Sequence, residues 1–99
     1  MDLDIKGVHF DVHDDTKEFI QAKLEKLEFA KDYIVDLDFT LTKDNPEYEV
    51  EVKLHLKWGH QSVIKTHAFD LHEGLNTLID KLDHKVRKER EKVTDHKSG

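Results

Sequence analysis

The sequence contains no cysteine, one proline and four glycines among its 99 residues. Without cysteine the chain can form neither disulfide bonds nor thiolate metal sites, which fits a reducing cytoplasm. No apolar run approaches the roughly 18 residues of a membrane-spanning helix. The opening residues, MDLDIKG, also lack the basic and apolar regions of a signal peptide. We therefore expect a cytoplasmic protein with no membrane partner.

Groups that carry catalysis are equally scarce. The chain has two serines and no glycine-rich phosphate-binding loop. The carboxylate pairs Asp36/Asp38 and Glu49/Glu51 lie on predicted strands, where a spacing of two residues merely places both members on one solvated face. We expect neither an enzyme nor a cofactor.

Histidine, a common metal ligand, is abundant, with eight copies. His9 and His13 are four residues apart, but they flank the end of a predicted strand, where their side chains need not converge. Zinc requires three or four converging ligands. We therefore predict no metal site.

Four segments, at about residues 2–12, 35–42, 48–58 and 62–69, alternate apolar with polar side chains, as expected of strands with one buried face. A change of phase at Gly7 predicts a bulge in the first strand. In the second strand Val35 falls in phase with the buried residues. In the third strand the residues predicted to share the buried face are Tyr48, Val50, Val52, Leu54, Leu56 and Trp58.

Two segments have helical periodicity. The first starts near Asp14, with Asp15 and Glu18 at the spacing of a capping box. Asp70 and Glu73 repeat that spacing before the last helix, whose apolar stripe is Leu71, Leu75, Leu78, Leu82 and Val86. The order β-α-β-β-β-α predicts an α+β fold, in which two helices cover one face of a four-stranded mixed sheet. We expect a single domain over residues 1–95 and a short frayed tail over 96–99.

Charge is distributed unevenly along the chain. Residues 1–79 carry a net charge of −8 and residues 80–97 a net charge of +2, within a total of −6. Within the last helix Lys81, Lys85, Lys88 and Lys92 fall within roughly 60° of one another, beside the apolar stripe. If the two helices pack side by side, Lys23 and Lys26 of the first helix border the same groove as this lysine row. The pattern predicts an anion-binding ridge, although an ordinary solvated helix face fits it too.

Three segments carry a resemblance to a known family: AKLEKLE (22–28), EVEVKLHLKWG (49–59) and DLHEGLNTLIDKLDHKVRKEREK (70–92). Together they resemble the short form of the bacterial ribosome hibernation-promoting factor and ribosome-associated inhibitor family. The resemblance implies a fold like that of a double-stranded RNA-binding domain. It also implies binding to the small ribosomal subunit in the tRNA/mRNA channel, inhibition of translation under stress or in stationary phase, and stabilisation or pairing of idle ribosomes, in some bacteria beside a second small factor.

The same resemblance assigns an rRNA-binding role to basic residues of both helices. By position these are Lys23, Lys26, Lys81, Lys88, Arg90 and Lys92, with Lys85 and Arg87 close by. The sequence departs from the family at His84, where relatives commonly have arginine, and at His72, where tyrosine is frequent. The rRNA of the small subunit is then the expected partner, with no role for DNA. The alternative is a small protein-interaction module that uses the acidic sheet face or an edge strand.

Overall fold

A computed structural model describes residues 1–98, with side chains for residues 1–92. The elements are β1 (Asp2–Val8), α1 (Asp14–Lys23), a 3-10 helix (Leu24–Ala30), β2 (Ile34–Asp44), β3 (Glu47–Leu56), β4 (Gln61–Ala68) and α2 (Leu71–Ser98). This order confirms the predicted α+β fold. The side chains of the predicted frayed tail, residues 96–99, lie outside the described residues, so its fraying stays a prediction.

The sheet has the strand order β1-β2-β3-β4. β1 and β2 are parallel, and the crossover between them contains α1 and the 3-10 helix. β2, β3 and β4 follow as an antiparallel meander. α2 packs against β3 and β4 and also contacts α1 and the 3-10 helix. Both helices therefore lie on one face of the sheet, as predicted.

The core lies between this face and the helices, because alternate strand residues point toward it. In β2 and β3 the alternation gives seven fully buried side chains: Leu37, Phe39, Leu41, Val50, Val52, Leu54 and Leu56. From α2 the predicted stripe supplies Leu75, Leu78, Leu82 and Val86, together with Ile79. The first helical segment, which comprises α1 and the 3-10 helix, adds Ile20, Leu24, Leu27 and Ala30 to the core.

The phase predicted at the ends of β2 and β3 is wrong. A register shift between Ile34 and Asp36 buries Ile34 and leaves Val35 39% exposed. β3 ends at Leu56, so Trp58 lies in the β3–β4 turn, 38% exposed, with its ring 5.7 Å from that of Tyr33. Alternation along a strand cannot reveal where pairing with the neighbouring strand shifts or stops.

The bulge predicted at Gly7 is wrong, because Gly7 pairs with Leu41 in a continuous register. β1 ends one residue later, and the chain folds back across the strand. A Cβ on Gly7 would lie 2.5 Å from the carbonyl oxygen of Phe10 and 2.9 Å from Val12 Cγ2. Glycine is required here because of this close approach.

The two helix starts differ. Asp70 Oδ2 accepts a hydrogen bond from the Glu73 backbone N–H at 2.8 Å, which confirms the predicted cap of α2. At α1 the predicted capping box is wrong: His13 is the N-cap residue and makes no side-chain capping bond to the described residues. Asp14 and Asp15 instead occupy the first turn, where their negative charge interacts favourably with the helix dipole.

Candidate nucleic-acid interface

The predicted lysine row lies on the flank of α2 that faces the β3–β4 turn. Lys85 Nζ and Lys92 Nζ lie 3.1 Å and 3.2 Å from Oε1 of Glu89. His60, from the β3–β4 turn, places Nε2 3.6 Å from the same oxygen. Since Glu89 follows the buried stripe of α2, these contacts place Lys85 and Lys92 beside the β3–β4 turn.

The opposite flank of α2 faces the first helical segment. Lys26 forms an ion pair with Asp80 of α2. Arg87 lies over the Phe29 ring of the 3-10 helix, 4.3 Å from its centroid, and Arg87 Nε contacts Asp83 Oδ1 at 3.1 Å. The lysine row and the basic residues of the first helix therefore lie on different flanks of α2. They do not border one groove, contrary to the expectation from the sequence.

The eight predicted RNA-binding side chains form three groups. Lys81 and Lys88 are exposed and make no ion pair with any described side chain. Lys85 and Lys92 are held by Glu89. The remaining four lie on the flank of α2 that faces α1 and the 3-10 helix (the α1 flank). They are Lys23 of α1, Lys26 of the 3-10 helix, and Arg87 and Arg90 of α2. The structure thus presents the basic residues as two lines, one on each side of α2, with Arg87 and Lys88 bordering one depression on its outer face.

Glu89 is the charged residue that holds two lysines of the row, Lys85 and Lys92. Its side chain is 5% exposed. Burial alone would raise the pKa of the Glu89 carboxyl, but hydrogen bonds from Lys85 and Lys92 and the nearby His60 act in the other direction and outweigh it. The pKa of Glu89 therefore lies below its ordinary value, and the carboxylate stays ionised at neutral pH.

This lowered pKa predicts an acid-dependent contribution to stability. A depressed folded-state pKa stabilises the fold above the ordinary pKa of the group, and this contribution is lost as pH falls through the folded-state value. We expect the free energy of unfolding of wild type, relative to Glu89→Gln, to decrease as pH falls from 6 to 3. Urea titrations at several pH values measure it. A difference independent of pH would contradict the assignment.

Pattern analysis missed Glu89, His60 and Phe29. A signal for Glu89 was present, because the stripe through Leu82 and Val86 continues onto position 89 at helical spacing. A carboxylate at a stripe position is unusual and requires cationic partners. His60 had no such signal, because its approach to α2 depends on how the hairpin packs. Phe29 was likewise indistinguishable from a core residue.

His72 and His84 have different surroundings. His72 stacks on Phe19 with ring centroids 4.5 Å apart, and its Nε2 lies 3.0 Å from the hydroxyl of the buried Thr16. It therefore packs α2 against α1. His84 is exposed and borders a shallow depression with Arg87, Lys88 and Glu91.

The uncovered sheet face is acidic and partly neutralised. Asp36, Asp38, Glu49 and Glu51 lie on it, half-buried, on the side of the sheet opposite the helices. Lys65 Nζ lies 3.3 Å from Glu49 and 3.6 Å from Glu51, and these carboxylates raise the pKa of its ammonium. The negative charge of this face is thus separated from the basic helix by the whole thickness of the domain.

Over the described residues, the structure contains no group of three histidine, aspartate or glutamate side chains able to hold a metal ion. None of the described helical residues forms a segment long and apolar enough to cross a membrane.

The fold and this surface define a class: a small α+β domain with one basic helix on an acidic body. Residues 3–94 match the family described as sigma 54 modulation protein / S30EA ribosomal protein. The chain belongs to this family.

Two relatives agree with this assignment. The chain is 27% identical over 99 residues to the ribosome hibernation promoting factor of Azotobacter vinelandii, covering 92% of that protein. It is 29% identical over 98 residues to the ribosome hibernation promoting factor of Escherichia coli K12, covering all of it.

At the level of fold, the chain resembles a ribosomal subunit interface protein from Coxiella burnetii, with a TM-score of 0.83 and 18% identity over 91% of this chain and 98% of the other. The N-terminal domain of Protein Y from Thermus thermophilus gives a TM-score of 0.79 at 18% identity, over 89% of this chain and 98% of that domain.

Proposed function

We propose that this protein is a ribosome hibernation factor that binds the small ribosomal subunit in the tRNA/mRNA channel. By occupying that channel it blocks translation and stabilises or pairs idle ribosomes under stress. Membership of the family and the names of its relatives support the ribosomal role. The observation that carries the proposal for this chain is the lysine row, concentrated on one flank of α2 in a protein of net charge −6.

Recognition is proposed to be electrostatic, because lysines contact phosphates and carry little sequence information. Lys81 and Lys88 are the strongest candidates, since both are exposed and form no ion pair with a described side chain. Folded RNA is recognised mainly through its shape and its backbone. The acidic sheet face is repelled by RNA, so it favours the orientation in which α2 meets the subunit.

The second basic line, on the α1 flank, adds contacts of a different kind. The guanidinium of Arg87 is held over Phe29 and by Asp83, so it loses less side-chain freedom when it meets a phosphate. With basic lines on both flanks, α2 can lie between two RNA segments. Steric occlusion of the channel then requires no catalytic step.

A protein-interaction module is the second candidate. The observation that favours it is Val63, which is 56% exposed on edge strand β4, on the same face as the acidic side chains. Exposed edge strands are natural sites for strand addition by a partner. Such binding would depend mainly on main-chain hydrogen bonds and apolar contacts, and so only weakly on salt.

Cosedimentation with purified ribosomal subunits tests the proposal. We expect the protein to cosediment with small and not with large subunits. If four lysines each displace a counterion, the affinity falls about 100-fold between 50 and 200 mM salt. Equal binding to both subunits, or binding that is insensitive to salt, would contradict the proposal and favour the second candidate.

A further inference from the structure

Glu89 is the one charged residue that is buried among the described side chains. Burying a carboxylate is costly unless it is paired and hydrogen-bonded. An apolar residue at this position would simply extend the stripe of α2. The carboxylate also removes one unit of positive charge from a row whose proposed role is to bind an anion. The position of Glu89 therefore requires an explanation beyond packing.

The contacts of Glu89 bring two lysines together. Lys85 Nζ and Lys92 Nζ lie 3.1 Å and 3.2 Å from one oxygen atom, so the two nitrogens are at most 6.3 Å apart, the sum of these distances. The two residues are seven positions apart, which is about 10.5 Å along a helix axis. Without a shared anion, the two ammonium groups would repel each other and separate.

The paired lysines keep donors for a ligand. An ammonium group has three N–H donors, and one hydrogen bond to Glu89 leaves two on each lysine. The Lys92 side chain is 60% exposed and that of Lys85 is 32% exposed, so both nitrogens can be reached from outside. Phosphate oxygens accept the same charge-assisted hydrogen bonds as a carboxylate.

His60 closes the inner side of this cluster. Its Nε2 is 2.7 Å from Ser62 Oγ on β4 and 3.6 Å from Glu89 Oε1. It brings the β3–β4 turn against the carboxylate of Glu89 on α2. The cluster is therefore anchored to the sheet as well as to the helix.

We propose that Glu89 is a positioning residue that assembles Lys85 and Lys92 into a site for a single RNA phosphate. The inference rests on the proposed function and deepens it. Glu89 acts through the lysines and does not touch RNA. Because it fixes their spacing and lowers the net charge of the row, it favours a correctly placed phosphate over RNA in general.

Replacement of Glu89 by glutamine should therefore affect two RNAs in opposite directions. Affinity for small subunits is expected to fall about tenfold, because two lysines must be ordered on binding. Affinity for poly(U) is expected to rise about twofold, because the surface gains one unit of positive charge. A purely structural role would lower both affinities together.

A double-mutant cycle isolates the mechanism. The Glu89→Gln substitution is made in wild type, in Lys85→Gln/Lys92→Gln and in Lys81→Gln/Lys88→Gln, whose lysines form no ion pair with Glu89. Because Lys85→Gln/Lys92→Gln removes both partners of a buried carboxylate, urea titration first establishes its folded fraction, and affinities are compared per folded molecule. We expect its effect on subunit affinity to disappear in the first double variant and to persist in the second. Glu89→Leu, which continues the apolar stripe, is included in case the buried amide destabilises the fold, and it should lower subunit affinity similarly.

Equal effects of Glu89→Gln in both double variants would overturn the inference, as would a parallel rise in affinity for subunits and poly(U). Failure of the wild-type protein to bind small subunits would remove the proposed function and, with it, this inference. Wild-type binding without coupling between Glu89 and the two lysines would remove the inference alone.

Discussion

The double charge reversal Lys81→Glu/Lys88→Glu is expected to lower affinity for the small subunit by about 100-fold or more. Two phosphate contacts are lost, and each new carboxylate faces a phosphate of like charge, which costs several kcal/mol at a close interface. The plot of log affinity against log salt should also become less steep, because the magnitude of its negative slope falls by nearly two. Subunit cosedimentation over a salt series measures both quantities.

These two lysines give a sharper test than reversal of the whole row. Replacing Lys85 or Lys92 by glutamate would place a further carboxylate against the buried Glu89. Such a variant would lose stability as well as binding, because removing one partner of a buried charge is strongly destabilising. Lys81 and Lys88 have no ion-pair partner among the described side chains, so their reversal leaves the core contacts intact.

The matched control is Lys6→Glu/Lys53→Glu, on the uncovered face of the sheet. It changes the net charge from −6 to −10, as does the test variant, because each substitution adds two negative charges. We expect at most a few-fold loss of affinity from the control. If both variants lose affinity equally, total charge controls binding and α2 is not the contact. Unchanged affinity in the test variant would also show that the lysine row does not contact the subunit.

Most of the fold followed from periodicity in the sequence. In β3 the alternation from Val50 to Leu56 predicted four buried side chains, because a half-buried strand imposes a period of two. What the sequence could not provide was tertiary pairing. The exposure of Val35 depends on a register shift against β3, and the need for Gly7 depends on the carbonyl of Phe10, which returns across β1.

The candidate site, like the fold, could be predicted from the sequence only in part. Helical geometry alone places the four lysines of the row on one flank of α2. It does not specify which neighbour that flank faces, because the sequence of α2 contains no information about the side on which α1 packs. The contacts of Glu89 with His60 and of Arg87 with Phe29 show which neighbouring element each flank of α2 faces. Residues that act from other elements on a helix surface therefore remain invisible to pattern analysis.

Phe39→Ala is expected to destabilise the fold by about 3–5 kcal/mol, the usual cost of removing a large buried aromatic side chain. Phe39 is fully buried in β2, where its registered partners are Ile5 of β1 and Val52 of β3. Its loss leaves a cavity between the sheet and the helices. For a domain of this size, the melting temperature should fall by roughly 15–30 °C. Differential scanning calorimetry and urea titration measure the loss.

Phe69→Ala is the matched control, because it removes the same atoms from a side chain that is 72% exposed. Its expected cost is below about 0.5 kcal/mol, as for most surface substitutions. The two phenylalanines differ only in context: Phe39 lies in phase with the apolar residues of β2, whereas Phe69 follows the last residue of β4. Comparable losses from both variants would show that the sheet and helices do not enclose Phe39. The predicted difference depends on burial alone, so it tests the fold independently of any ribosomal role.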